Sequence, residues 1–299
     1  MLSLFFYLAL VINHNHRKET GCLEETVSGF EKSSTIVGPW TLDLSSTALV
    51  IFSKARISSI ELRKMCTLEK RGDIYILTLT GSDEHRLNPT LVASIRSALR
   101  RVRAGPASPS SALVTIAEGK FFSNGFDLAW AHSSQPRLEL MSAKLQLLVK
   151  ELISLPMPTI AAVTGHASAA GMILALSHDY VLMRKDRGFL YMSELDIGLV
   201  LPDWFMVLLK CKIGDAKVRS EIILTAAKLT AEMAAVRGVV HSAHVGAEET
   251  VEAAIRLGQE LVKRGWDGNV YGKNRMVVLN EVLEKIGTLT GEAKTVSKL

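Results

Sequence analysis

Cysteine is scarce in this chain. Three cysteines occur among 299 residues, Cys22, Cys66 and Cys211, widely separated and with no CxxC pair. That excludes the disulfide framework of a small secreted domain and a cysteine-based zinc site, and favours a reducing or redox-neutral compartment. Two histidine pairs, His14/His16 and His241/His244, have no further ligand-type residues beside them, so no metal centre is expected. Long apolar runs are missing too. The opening MLSLFFYLALVI falls short of the roughly 20 residues that span a bilayer. It also lacks the basic flank and small-residue cleavage site of a secretory signal. Aromatic residues make up only 6% of the chain, and none interleaves the densest basic cluster, Arg96, Arg100, Arg101 and Arg103. Nucleic acid is therefore not an expected partner. The cluster reads as a solvated helix face, with a polyanionic ligand as the sharper alternative. Neither G-x-G-x-x-G nor a P-loop occurs, so no nucleotide-binding fingerprint is present.

What is there suits a globular chain. The chain is 48% hydrophobic with a net charge of +5, long enough to bury a full core in one or two domains. Residues 1–64 show no sustained period and scatter serine and threonine, whereas Met65 opens MCTLEKRGDIYILTLTG with the compact look of a protein start. Residues 1–64 are expected to be an extension, 65–287 the folded body, and 288–299 a tail. The tail ends in Ser297-Lys298-Leu299, the tripeptide read by the peroxisomal import receptor. A peroxisomal location, with that receptor as a partner, is the expectation.

From Met65 onward strands and helices alternate. Asp73 to Thr80 is β-rich, Pro89 suits the first turn of a helix over Thr90 to Arg101, and Ala112 to Ala117 reads as a buried strand. A loop runs to Leu128. A helix over Arg137 to Ser154 is stopped by Pro156 and Pro158, and strands at Thr159 to Val163 and Tyr180 to Met183 follow. From Pro202 the pattern is mostly helical. The order predicts α/β architecture at the front and a helical C-terminal third.

Two segments of small residues follow strands: Phe121 to Leu128, FFSNGFDL, and Gly165 to Leu174, GHASAAGMIL. Each frees backbone N–H groups before helix bonding consumes them. Two such groups converging on one point would make an oxyanion hole. Ser177-His178-Asp179 contains triad letters, but neighbours on a helix point apart. Ser168 lies outside a G-x-S-x-G elbow, so a serine hydrolase is not expected.

These segments resemble the crotonase (enoyl-CoA hydratase/isomerase) superfamily. FFSNGFDL is similar to its first oxyanion segment and GHASAAGMILALSHDY to its second. HRLNP at 85–89 resembles the segment that cups the CoA adenine, and Lys228 to His241 resembles a late helix-and-turn segment. The resemblance covers about Met65 to Gly287. It implies a spiral of ββα units with a helical C-terminal trimerisation region, a homotrimer or hexamer, and an acyl-CoA substrate with no separate cofactor. Carried over residue by residue, it implies oxyanion donors at Phe126 and Ala170. It implies substrate or CoA contacts at Arg86, Leu87, Asn124, Gly125, Asp127, Leu128, Gly171 and Ser193.

Hydratases of this family carry two glutamates. Here the first position is the apolar Ile173, and the second matches Glu194 in YMSELDIGL. One carboxylate suits a proton shuttle rather than water addition, and the pattern resembles the monofunctional Δ3,Δ2-enoyl-CoA isomerases. Glu194 is the implied acid–base. Asp196 is a rival, because in a strand it would share the face of Glu194. A hydratase-like activity and a non-catalytic acyl-CoA-binding homologue remain the alternatives. N-terminal sequencing of the native protein is expected to start at or near Met65; peptides from upstream would overturn that boundary.

Overall fold

The computed structural model describes residues 65–81, 84–105 and 110–287. The expected extension over 1–64 and the tail over 288–299 lie outside the described residues.

Strands β1 (Cys66–Arg71), β2 (Ile74–Leu79), β3 (Ala112–Ala117), β5 (Thr159–Val163), β7 (Tyr180–Arg184) and β9 (Ser242–His244) form one sheet in that order. The β1–β2 pair is antiparallel and joined by a tight turn; every later pairing in the sheet is parallel. Three short strands, β4 (Phe121–Ser123), β6 (His166–Ser168) and β8 (Leu190–Tyr191), pair in parallel as a second sheet. Among the described residues the helices include α1 (Pro89–Ala104), α2 (Leu128–Ala131), α3 (Gln135–Ile153), α4 (Ala170–Leu176), α5 (Asp203–Lys212), α6 (Ala216–Leu224), α7 (Ala231–Val236), α8 (Gly246–Val262) and α9 (Gly268–Val278). Three successive turns of the chain repeat one order, a strand of the large sheet (β3, β5, β7), a strand of the small sheet (β4, β6, β8), then helix. This is the expected spiral of ββα units.

The period-2 pattern explains why the central large-sheet strands β2, β3, β5 and β7 are apolar almost throughout. Ile74, Ile76, Ala112, Val114, Ile160, Ala162 and Leu182 face one side, where Ala253 and Ala254 of α8 cover them. The alternate residues Leu77, Leu79, Leu113, Ala161, Val163, Val181 and Met183 face the main core, together with residues of α1, α3 and α4. Strands buried on both faces need apolar side chains at nearly every position.

Helix ends follow local chemistry. The Asn88 side chain accepts from the N–H groups of Thr90 and Leu91, and Pro89 opens α1. The helix runs slightly longer than its sequence pattern, to Ala104. The basic cluster on α1 is partly spoken for. Arg96 pairs with Glu151 at 2.5 Å, and Arg103 donates to the Ser154 carbonyl at 3.1 Å, at the C-terminus of α3. The stretch to Leu128, expected as loop, contains β4; three residues are too few to show a period.

The C-terminal helices are tied to the sheet by a buried ion pair. Arg275 of α9 lies 2.9 Å from Asp179 and donates to the carbonyls of Leu152, Leu155 and Met157. Lys212 of α5 donates to the His178 carbonyl at 2.6 Å. Ser177-His178-Asp179 is thus a structural corner. Ser177 bonds the Ile173 carbonyl at 2.7 Å and the His178 ring bonds Thr115 at 2.8 Å. Burial pushes the His178 pKa down to about 4, so its imidazole is neutral at physiological pH.

Successive turns of the spiral touch backbone to backbone. A Cβ at Gly165 would stand 2.1 Å from the Lys120 carbonyl oxygen, where the β5–β6 link crosses the β3–β4 link. Gly165→Ala is therefore expected to destabilise the fold by about 1–3 kcal/mol, the usual cost of overpacking against an element that cannot yield. Urea denaturation checks this, and an unchanged midpoint would contradict the close crossing.

Candidate active site

The first small-residue segment leaves β4 and is stitched to the 84–88 stretch. Asn124 N–H donates to the Glu84 carbonyl at 2.8 Å, Leu87 N–H to the Gly125 carbonyl at 2.7 Å, and Ser123 Oγ to the His85 carbonyl at 2.8 Å. Gly125 has φ +74°, which a side chain would strain. Asp127 accepts from Trp130 N–H at 2.9 Å, capping α2, and from Asn88 Nδ2 at 3.0 Å. It fixes the loop from both sides.

The second segment reverses at Ala169, whose φ of +50° and ψ of −125° let β6 turn directly into α4. Ala169 N–H is spent on the Tyr191 carbonyl at 2.7 Å, and its own carbonyl takes the N–H groups of Met172 and Ile173. Ala170 opens the helix. Gly171 has no room for a side chain: a Cβ there would stand 2.2 Å from the Ser123 carbonyl oxygen. A Cβ on Gly125 would stand 3.4 Å from Ala170 N. The two segments are therefore in direct contact at the places where Phe126 and Ala170 present their backbones. Among the described residues, neither the Phe126 nor the Ala170 N–H has a protein acceptor.

Glu194 lies just beyond β8. It is 8% exposed and the only carboxylate side chain among the buried polar residues described. Its Oε2 is buried without a hydrogen-bond partner. Burial pushes its pKa above the ordinary glutamate value, because a charge there loses its hydration. Asp196 does not share its face. Residues 194–198 form a turn rather than a strand, so the period-2 expectation fails there, and Asp196 is exposed with the Tyr191 hydroxyl donating to it. Ser193 sits at the base of that turn, its carbonyl accepting from Ile197 N–H at 3.2 Å. Ile173 is fully buried in α4.

The other implied contact residues are distributed unevenly. Leu87 is a core residue, 0% exposed, and offers a ligand only its backbone; its place in the Leu87–Phe126 bridge explains the burial. Arg86 is paired with Glu84, while Leu128 begins α2 and is exposed. Sequence reasoning did not single out Tyr191. Its signal is faint: a phenol five residues before an aspartate, across a strand-to-turn junction. The Asp179–Arg275 pair was also invisible, because its members are 96 residues apart in the sequence.

A spiral of ββα units, with unsatisfied backbone donors on two adjoining small-residue segments and a buried carboxylate just beyond β8, is the architecture of a crotonase-type protein. The model of the enoyl-CoA hydratase/isomerase family matches residues 70–298. A protein of Arabidopsis thaliana named enoyl-CoA delta isomerase 1, peroxisomal, is 61% identical over 219 residues, covering 73% of this chain and 91% of its own. A second from that plant, enoyl-CoA delta isomerase 2, peroxisomal, is 49% identical over 76% of this chain and 97% of its own. The crystal structure of a probable enoyl-CoA hydratase of Mycobacterium tuberculosis superposes with a TM-score of 0.69 at 21% identity, covering 78% of this chain and 96% of that one. The chain belongs to the enoyl-CoA hydratase/isomerase family.

The raised Glu194 pKa makes a prediction about stability. The folded state favours the protonated carboxyl, so ionisation costs stability, and that cost is fully present above the folded-state pKa. It disappears below the ordinary glutamate value of about 4.3. Glu194→Gln is expected to melt at a higher temperature than the parent at pH 8, the gain shrinking as pH falls and vanishing near pH 4. Equal melting temperatures at pH 8 would show that the carboxylate is not held against its charge.

Proposed function

We propose that this chain is a Δ3,Δ2-enoyl-CoA isomerase that moves the double bond of a 3-enoyl-CoA to give the trans-2-enoyl-CoA in peroxisomal fatty-acid β-oxidation. The observation that carries the mechanism is the lone buried carboxylate of Glu194, with Ile173 at the position where a hydratase keeps its second acid. The names of the similar Arabidopsis proteins support the same reaction and compartment.

The thioester oxygen lies between the N–H groups of Phe126 and Ala170. Glu194, ionised, takes a proton from C2. The C2–H electron pair moves into conjugation with the carbonyl, and negative charge gathers on the oxygen, where the two donors stabilise it. Protonated Glu194 then returns the proton at C4. The C3–C4 π pair forms the new C–H bond, and the dienolate collapses to the C2=C3 enoyl thioester. Nothing is gained or lost overall, so the shuttle needs no cofactor. The raised pKa suits a group that must both take and return the proton. With no second carboxylate at Ile173, water is not activated for addition.

CoA is held by the 84–88 segment and the loop it is stitched to, with Arg86 and the backbone of Leu87 at its adenine and phosphate end, and Asn124, Gly125, Asp127, Leu128, Gly171 and Ser193 as the other substrate contacts. The protein assembles as a homotrimer or pair of trimers. Support comes from apolar side chains left in solvent on the C-terminal helices, such as Val236 at 90% and Val277 at 75% exposure. Ser297-Lys298-Leu299 engages the import receptor.

Glu194→Gln assayed with 3-hexenoyl-CoA is expected to lose about 10²- to 10⁴-fold in kcat, the usual contribution of a positioned acid–base. Undiminished activity would refute the mechanism. Water addition to crotonyl-CoA at a comparable rate by the parent enzyme would make it a hydratase, and acyl-CoA binding without turnover would make it a non-catalytic homologue.

A further inference from the structure

The turn that carries Glu194 has little to hold it in place. Beyond Glu194 it exposes Leu195, Ile197, Leu199 and Val200, the last at 83%, so core packing does not pin that side. The backbone hydrogen bonds of residues 193–199 close within the turn: Ile197 N–H to Ser193, Gly198 N–H to Leu195, and Leu199 N–H to Glu194 at 2.8 Å. They give the turn its shape but do not attach it to the sheet.

One side-chain bond does. The Tyr191 hydroxyl donates to the Asp196 carboxylate, joining the end of β8 to the far side of the turn and enclosing Glu194 between them. The Lys228 ammonium stands 4.8 Å above the Tyr191 ring and braces it from the opposite segment. Hydrogen bonding to Asp196 and burial raise the Tyr191 pKa to about 12, so the phenol keeps the proton it donates. The backbone of Tyr191 faces the other way in function. Its carbonyl accepts the N–H of Ala169, the residue before the second oxyanion donor, at 2.7 Å. One residue therefore touches both halves of the site, the oxyanion strand through its backbone and the acid–base turn through its side chain.

We propose that Tyr191 and Asp196 are positioning residues, whose phenol–carboxylate bond holds the Glu194 turn in register with the oxyanion donors of Phe126 and Ala170. This rests on Glu194 being the acid–base. It also gives Asp196 a role distinct from that of a second base: its carboxylate is exposed and already occupied by the phenol, whereas that of Glu194 is buried with Oε2 unpartnered. Proton delivery to two carbons of one substrate demands a fixed carboxylate, since small misplacements at a reacting centre cost large factors in rate.

The test is steady-state isomerisation of 3-hexenoyl-CoA by four variants of the full chain, with melting temperatures recorded alongside. Tyr191→Phe removes a single oxygen, and Asp196→Leu removes the acceptor. Both are expected to lower kcat about tenfold while KM stays within about twofold, because aim is lost rather than binding. Asp196→Asn keeps an acceptor oxygen and is expected to restore kcat to near the parent value. The proposal falls if Tyr191→Phe leaves kcat unchanged, if only KM moves, or if Asp196→Asn is as impaired as Asp196→Leu. The last result would mean that the Asp196 charge itself acts. Glu194→Gln separates the two layers. If it retains activity, the acid–base reading is wrong and the positioning role goes with it. If it is inactive while Tyr191→Phe is unimpaired, only the positioning role is lost.

Discussion

The close approach of backbone to backbone between successive turns of the spiral is the constraint on which everything else depends. Gly165 lies against the Lys120 carbonyl and Gly171 against that of Ser123, at distances that exclude any side chain. These crossings bring the ends of β4 and β6 side by side. Side-by-side strand ends are what the proposed oxyanion pair requires, since its two backbone N–H groups come from residues 44 apart in the sequence. A backbone donor carries no side-chain entropy and cannot rotate away, so once the crossings are made the pair is preorganised. The reversal at Ala169 contributes to the same end. A non-glycine residue at positive φ costs about 1–3 kcal/mol, and here it allows a strand to become a helix without an intervening loop.

The carboxylate is governed by a different balance. Burying Glu194 with Oε2 unpartnered is unfavourable, and the chain tolerates this because the rest of the core is large and apolar. Arg275 shows the opposite solution. It too is buried, but it is matched by Asp179 and three carbonyl oxygens. A buried charge with partners holds elements together, and a buried acid without them is available to a substrate.

Much of this was legible in the sequence. The apolar strands, the proline-marked helix boundaries and the small-residue segments each have a local cause, and local causes show in a linear pattern. The spiral itself, and the roles of Phe126, Ala170 and Glu194, came from the resemblance of two motifs taken together. What failed did so for physical reasons. β4 is too short to show a period. Asp196 would lie beside Glu194 only if the strand continued, and it ends at Tyr191.

The sequence by itself determined the class of fold, the family and the presence of one carboxylate where two would be needed to add water, since these depend on residue identity at matching positions. The tertiary structure decided which of two neighbouring acids is buried, which histidine and serine are merely structural, and which bonds join the Glu194 turn to Tyr191 and Tyr191 to Ala169. Burial and partnership are relations between residues far apart in the chain, such as Asp179 with Arg275 or Tyr191 with Lys228 and Ala169. A linear sequence records the members of such relations without recording that they meet.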